Sequence, residues 1–271
     1  WASVISAERN GGFAFGNNLG MRAMVAAPDK PEYLLLLNPD TVAKPQLLHC
    51  LGSFMKTHPV CGIAGCKIDD PAGNATCSAH NFPSPISEFD QGLRLGPVSR
   101  WLKNHVVSPP LPSTPQKCDW VSGACMMIRR ELIEHIGLMD EGYFLYFEEV
   151  DYCRLAQQSG WEVWFCPDAS VVHLEGASTG IANQQNRRAA YWYDSRRRYF
   201  MRYYGVSGLL MADFLWVVGR CGRALRSFFQ RGVGLNDTEP LYYARDLLLG
   251  DLKALLGGSP RAALRAPRIG G

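Results

Sequence analysis

The chain opens polar and glycine-rich, with RNGGFAFGNN. Apolar residues at helical spacing then run to about Ala27, and Asn17 or Asn18 is placed to cap that helix. EYLLLLN is a short apolar run after Pro31 and predicts a strand covered on both faces. Leu47, Leu48, Leu51, Phe54 and Met55 repeat at helical spacing with Pro45 near their first turn, and CGIAGCKI reads as the next strand. Strand, helix, strand in that order predicts a parallel α/β sheet.

From Asp69 to Lys117 the pattern breaks down into eight prolines and polar stretches, which predicts a long loop-rich insertion of functional or mobile character. Order returns in CDWVSGACMMIRRELIEHIG, a strand pair or bent strand feeding a short helix. FEEVDYCRLAQQSG predicts a helix ended by Gly160, and WEVWFCP and ASVVHL predict two further short strands. After about Asn183 only long helical stretches rich in Arg and aromatics follow. The division is therefore 1–182 for an α/β domain and 183–271 for a helical, basic region. Within the latter, VSGLLMADFLWVVG (206–219) would make a helix of about 21 Å, short of the roughly 30 Å of a bilayer's hydrocarbon. It also contains Asp213 and runs into Arg220, Arg223 and Arg226. An interfacial helix with arginines toward anionic head groups fits that pattern, and so does a helix packed on the domain.

Composition narrows the class. With 47% hydrophobic and 20% charged residues in 271, the chain is an ordinary globular protein with a sizeable core. The net charge of +3 is unevenly spread. Between Arg187 and Arg231 ten Arg face two acids, a net +8 that leaves −5 for the remainder. Such asymmetry points to an anionic surface. No nucleic-acid motif accompanies it, and its leucines and aromatics favour a membrane surface over nucleic acid. Nine cysteines without a CxxC pair, several inside apolar runs, read as buried free thiols of a reducing compartment and disfavour a zinc site.

Candidate chemistry gathers at strand ends. Asp40, in NPDT, follows the apolar run directly. The stretch is good turn chemistry, and it is also where ligands of open α/β sheets bind. Glu148, Glu149 and Asp151 lie within four residues, beside Asp140 and Glu141 and interleaved with GYFLYF. Acids crowded against an apolar wall raise one another's pKa, which suits a general base; acids at a helix start also suit its dipole, as at Glu148. His173 ends a strand as Asp40 does, and the two together could share a divalent cation. RNGGFAFGNN offers close backbone approach and the amides of Asn10, Asn17 and Asn18, without a Walker or dinucleotide fingerprint.

The order NGGFAFGNN, LLLLNPDT, DWVSGACMMIRRE, MDEGYFLYFEEVDYCRL and GWEVWFCPDASVVHLEGAS, spanning Asn10 to Ser178, resembles the bacterial inverting GT-A glycosyltransferases of the rhamnosyltransferase type, within the family 2-like enzymes. The resemblance implies a Rossmann-like, mostly parallel sheet flanked by helices. It implies transfer of a hexosyl (rhamnosyl) unit from a nucleotide-diphospho-sugar to a saccharide or polyprenyl-diphosphate-linked acceptor in cell-envelope polysaccharide synthesis, at the inner face of the cytoplasmic membrane. Asn38 and Asp40 match the family's variant metal motif, so Asp40 and the late His173 would hold Mg²⁺ or Mn²⁺. Asn10, Gly12, Phe13, Gly16 and Asn17 match the donor-side loop; Trp120, Ser122, Gly123, Asp140 and Glu141 match the acceptor side, with Trp120 either stacking on a sugar or packed in the core. Glu148-Glu149 stands where relatives carry Glu-Asp, which makes Glu149 the base, with Asp151 second. Family members carry about fifty residues ahead of the loop, the scale of a βαβ unit. Those strands are not in this sequence, so the resemblance implies a piece of a longer chain. The alternative is a non-catalytic relative that binds sugar nucleotide or glycan.

Overall fold

The computed structural model describes residues 2–174, 186–229 and 239–257, and the boundary drawn at 182/183 lies outside them. In chain order the first elements are α1 (Gly12–Ala26), β1 (Tyr33–Leu37), β2 (Thr41–Ala43), α2 (Leu47–Thr57), β3 (Cys61–Asp69), β4 (Ala75–Thr76) and β5 (Ala79–His80). Two helices follow, α3 (Pro85–Leu93) and α4 (Gly96–Trp101). Then come β6 (Gln116–Lys117), β7 (Trp120–Val121), β8 (Cys125–Arg129), α5 (Arg130–Ile136), α6 (Glu148–Gln158) and β9 (Glu162–His173). The last described elements are α7 (Ala190–Phe229) and α8 (Tyr243–Leu256). They form two compact units. One comprises the chain up to His80 and from Pro110 through β9; the other comprises Asn81–Pro109 with α7 and α8.

The first unit is α/β. Its main sheet runs β1-β8-β3-β9-β2, with β4 on β3 and β6 on β9. β3 and β9 are parallel, and β1 points the same way, but β8 is inserted antiparallel between β1 and β3, and β2 lies antiparallel on β9. The sheet is thus mixed, its shared direction carried by β1, β3 and β9. β1 buries Leu34 and Leu36 on one face and packs the half-buried Tyr33 and Leu35 against the core on the other, as expected of a strand covered on both sides; it stands at the end of the strand order, and only Leu37 at its tip is 40% exposed. The two short strands expected around residues 161–174 are one strand, β9, with a break in register between Cys66↔Cys166 and Lys67↔Ser170. Pro167 has no N–H for the ladder, so the strand bulges there and resumes.

Leu47, Leu51 and Met55, four residues apart on α2, bury the same face against Cys61, Ala64, Cys66 and Ile68 of β3 and Val171 of β9. The buried Arg129 guanidinium donates to the carbonyls of Met55, His58 and Cys61, which gives the end of α2 the partners that helix termini lack. All nine cysteines are free.

In the second unit two short helices, α3 and α4, interrupt the proline-rich insertion, which is otherwise largely irregular as expected. Ser84 caps α3 through the Ser87 N–H, and Pro85 sits at its first position. α3 meets α7 where Gly92 faces Gly219; a side-chain carbon at either would fall 2.5 Å from a carbonyl of the other helix. α7 is broken at Gly205 (φ 69°). Arg196 is wholly buried and ion-paired to Glu88 (3.0 Å), Asp213 (2.9 Å) and Asp251 (3.3 Å). Arg187 pairs with Asp246, Arg197 with Asp194 and Asp251, and Arg220 with Glu239. The arginines expected to face anionic head groups are therefore largely matched inside the unit, chiefly by Glu88, Glu239, Asp246 and Asp251, which lie outside the segment counted. What the helix from Val206 to Phe229 exposes instead is uncharged and largely apolar: Val206, Leu210, Met211, Phe214, Val218, Leu225, Phe228 and Phe229. Its four charged residues turn inward: Asp213 to Arg196, Arg220 and Arg223 to Glu239, and Arg226 to the carbonyls of Leu93 and Arg94.

Candidate active site

At Asp40 the turn is present, and the turn sets where the carboxylate lies. At the end of β1 the Asn38 N–H donates to the Ala124 carbonyl (3.0 Å), and the Asn38 carbonyl accepts from the Thr41 N–H (3.1 Å) and its hydroxyl (2.5 Å). That tight turn starts β2 at once, and β2 pairs with β9 so that Thr41 stands opposite His173. Asp40 Oδ1 consequently lies 3.1 Å from His173 Nε2, and the Leu174 N–H donates to the Asp40 carbonyl. The two side chains are only 14% and 18% exposed. A carboxylate and an imidazole at one strand edge fit a divalent cation that takes its other ligands from substrate phosphates and water. Among the described residues no set of three or more His, Cys, Asp or Glu is arranged as a metal site.

The acids of α6 occupy its first turn. Glu148 is buried, and burial together with the neighbouring Glu149 charge pushes its carboxyl up to about 9. Burial lifts Glu149 to about 7, although the backbone N–H groups of 149 and 150 pull it down. One carboxyl oxygen of each, Oε2, is buried without a hydrogen-bond partner. Two adjacent acids are thus driven well above the ordinary carboxylate range, and apart from each other. Asp151, also buried, accepts a hydrogen bond from the Tyr143 hydroxyl (3.1 Å). Immediately before the helix Tyr146 (φ 70°) and Phe147 (φ 68°) both adopt the left-handed conformation. That conformation costs a bulky residue about 1–3 kcal/mol and gathers at functional sites.

A chain of short contacts leads from Glu149 to the turn that follows β1. A methyl at Gly123, in the turn between β7 and β8, would lie 3.6 Å from Glu149 Cβ and 3.0 Å from the Phe13 ring. The next residue, Ala124, accepts the Asn38 N–H. Phe13, Gly123, Glu149 and Asn38 are therefore linked by short contacts.

The remaining sequence candidates divide. α1 begins at Gly12, six residues before the latest expected cap, so Asn17 lies inside the helix and donates to its own Phe13 carbonyl (2.9 Å). The Gly12 N–H donates to Asn10 Oδ1 (3.1 Å) and the Phe13 N–H to the Phe144 carbonyl (2.8 Å), so both amides have partners within the protein. Gly16 is exposed. Trp120 stacks on His80 at 4.0 Å, covering one ring face, and Ser122 Oγ accepts the Ala124 N–H. Asp140 accepts the Gly142 N–H within its loop. Glu141 is bound by Asn18 (2.9 Å) and Arg22 (2.8 Å); burial would raise its carboxyl, but those two bonds outweigh it and hold the group below its usual range.

Two sets of contacts here were missed from sequence, where Asn18 was expected only as a helix cap or loop amide. Asn18 is buried and holds Met139 through both its N–H (3.0 Å) and its carbonyl (2.9 Å). Asp69, buried at the end of β3, is held low by hydrogen bonding to Lys44 (2.6 Å) and by Lys67, against its burial. An amide in a helix interior, where it has poor propensity, was the available signal for Asn18; nothing local marked Lys44 as the partner of Asp69.

Residues 3–192 match the family model described as "Glycosyltransferase like family 2". The chain is 31% identical over 153 residues to the N-acetylglucosaminyl-diphospho-decaprenol L-rhamnosyltransferase of Mycobacterium tuberculosis, which covers 55% of this chain and 49% of that protein. It is 26% identical over 167 residues to the rhamnosyltransferase WbbL of Escherichia coli (60% of each), and 25% identical over 169 residues to the low-salt glycan biosynthesis hexosyltransferase Agl10 of Haloferax volcanii (62% and 50%). The chain thus spans about half the length of the mycobacterial and archaeal relatives. A crystal structure of GalNAc-T7 with UDP, GalNAc and Mn²⁺ superposes over 92% of this chain and 45% of that one, at 14% identity and a TM-score of 0.49, too loosely to carry residues across.

Proposed function

The chain belongs to the glycosyltransferase-like family 2, and on that premise we propose that it performs inverting transfer of a hexosyl unit, rhamnosyl in the first instance, from a nucleotide-diphospho-sugar to a saccharide acceptor. The named relatives favour a lipid-linked acceptor of the polyprenyl-diphosphate type and a role in cell-envelope glycan synthesis. The observation that carries this reading is the 3.1 Å contact of Asp40 with His173 where β1 gives way to β2, with Glu149 linked to the same turn through Gly123 and Ala124.

A divalent cation, Mg²⁺ or Mn²⁺, held by Asp40 and His173 would neutralise charge on the departing diphosphate. The acceptor hydroxyl attacks the anomeric carbon from the face opposite the leaving group, so the bond to the diphosphate oxygen breaks as the new glycosidic bond forms. Glu149 takes the hydroxyl proton. With its carboxyl near 7 it is ionised in a large fraction at neutral pH and still basic enough to accept a proton. Glu148, near 9, stays protonated there, and Asp151 is engaged with Tyr143. Trp120, Ser122 and Gly123 lie on the acceptor side of this arrangement. The second unit meets the inner face of the membrane through the uncharged outer face of the helix from Val206 to Phe229, which contacts hydrocarbon rather than head-group charge.

The test is calorimetric binding of nucleotide-sugars with and without Mn²⁺, alongside a transfer assay. Asp40→Ala should abolish the cation-dependent part of binding, and Glu149→Gln should lower turnover by roughly 10²–10⁴ while sparing it. Cation-dependent binding that survives Asp40→Ala refutes the reading.

A further inference from the structure

The glycine-rich start of α1 has the outward character of a phosphate loop, but its contacts run elsewhere. Its first two amides are occupied by Asn10 and by the Phe144 carbonyl. Gly12 has φ +85°, and a side-chain carbon there would fall on the Phe144 carbonyl oxygen, so only glycine permits the approach. Two turns along, Asn18 holds Met139 by two hydrogen bonds and Glu141 by a third, and Arg22 binds Glu141 again. One helix therefore grips the loop from Met139 to Phe147 at Met139, Glu141 and Phe144. That loop ends in the two left-handed residues Tyr146 and Phe147, directly before Glu148 and Glu149. A conformation so unfavourable persists only where its surroundings enforce it. The Phe13 ring, meanwhile, sits against Gly123, the same residue Glu149 Cβ approaches.

We propose that Gly12, Phe13 and Asn18 are positioning residues for Glu149: α1 is a strut that imposes the strained entry to α6 and walls the Glu149 carboxyl from water, its first two amides being engaged within the protein rather than with donor phosphates. The proposal rests on Glu149 being the base. Around that carboxyl stand Glu148 on the same helix, the Cys153 thiol one turn along with Asp119 near it, and Asp151 with Tyr143. Phe13 and Gly123, on the facing elements, are uncharged.

The experiment compares Phe13→Leu and Asn18→Ala with the parent, using the full chain. Leucine keeps the apolar volume of the first turn nearly intact, so Phe13→Leu stays informative if Asn18→Ala fails to fold. Three quantities are read: kcat against pH, nucleotide-sugar affinity by calorimetry, and the carboxyl titration in infrared difference spectra, with the Glu149 band assigned by its loss in Glu149→Gln. A loosened wall admits water, so the Glu149 titration and the acid limb of kcat should both move about one pH unit lower. Turnover should fall roughly 10–10²-fold, and affinity should stay within about twofold. Weakened nucleotide-sugar affinity with the titration unmoved makes α1 a donor-binding element and overturns the proposal, as does no change in any of the three. If the infrared titration shifts while Glu149→Gln retains full turnover, the strut stands and the assignment of the base falls instead.

Discussion

Replacing Glu149 by Gln should make the folded protein more stable at neutral and alkaline pH even as it stops the chemistry. The carboxyl rises from 4.5 to about 7 on folding, chiefly through burial. A folded pKa above the unfolded one means that the native state holds the proton more tightly. Its contribution is complete below about 4.5, is lost progressively as pH climbs to about 7, and changes no further above that. A shift of that size is worth at most about 3.4 kcal/mol at 1.36 kcal/mol per unit. Because the side chain keeps some solvent contact, about 1–2 kcal/mol is the working figure. Gln cannot ionise and avoids the loss. Urea unfolding of both proteins at pH 5, 7 and 9 should therefore give nearly equal stabilities at pH 5 and a gap favouring the Gln variant from pH 7 upward. Glu148→Gln should show a gap still widening toward pH 9, since its carboxyl lies near that value. A Glu149→Gln protein less stable than the parent at pH 9, or a gap that ignores pH, would show that the carboxyl is solvated and the reasoning wrong.

Two further outcomes concern the helical unit. Arg196→Met leaves Glu88, Asp213 and Asp251 without their buried cation and should cost about 3–5 kcal/mol at pH 8. Part of that should return at pH 6, because Asp213 already titrates near 7 from burial and can neutralise itself by protonation. A loss under about 1 kcal/mol in urea titrations at pH 8 would mean that the cluster is wetter than its geometry implies. The parent protein should co-float with vesicles of neutral phosphatidylcholine at both low and high salt, and Phe214→Glu with Val218→Glu should abolish it; flotation that needs anionic lipid and fades with salt would return the role to the arginines.

What could be read from sequence was set by local signals. The apolar runs of β1 and β3, the heptad-like face of α2 and the acids opening α6 are contained in stretches of ten residues or so, and they appear where the pattern put them. The Asp40–His173 contact was also legible, because each ends an apolar run and strand ends share an edge. The start of α1 was not: Gly11, Gly12 and Gly16 score against a helix, and what holds its first turn is the carbonyl of Phe144, more than a hundred residues away. The fate of the arginines was hidden for the same reason, since Glu88, Glu239 and Asp251 come from distant segments. SPISEF did carry a usable sign, a serine cap with proline at the first helical position, lost among the insertion's other prolines.

The splicing of Asn81–Pro109 into the helical unit sets an order on synthesis. α3 leaves the ribosome well before Arg196, Asp213 and Asp251 are translated, and at about 5–20 residues per second the interval to the end of α8 is on the order of ten seconds. During that time Glu88 has no cation and Gly92 no helix to press against, so the nascent chain must carry an unpaired amphipathic segment looped out of a sheet that is otherwise free to close. Stalling translation once β9 has emerged and before α7 has should accordingly yield chains in which protease cuts selectively between His80 and Pro110.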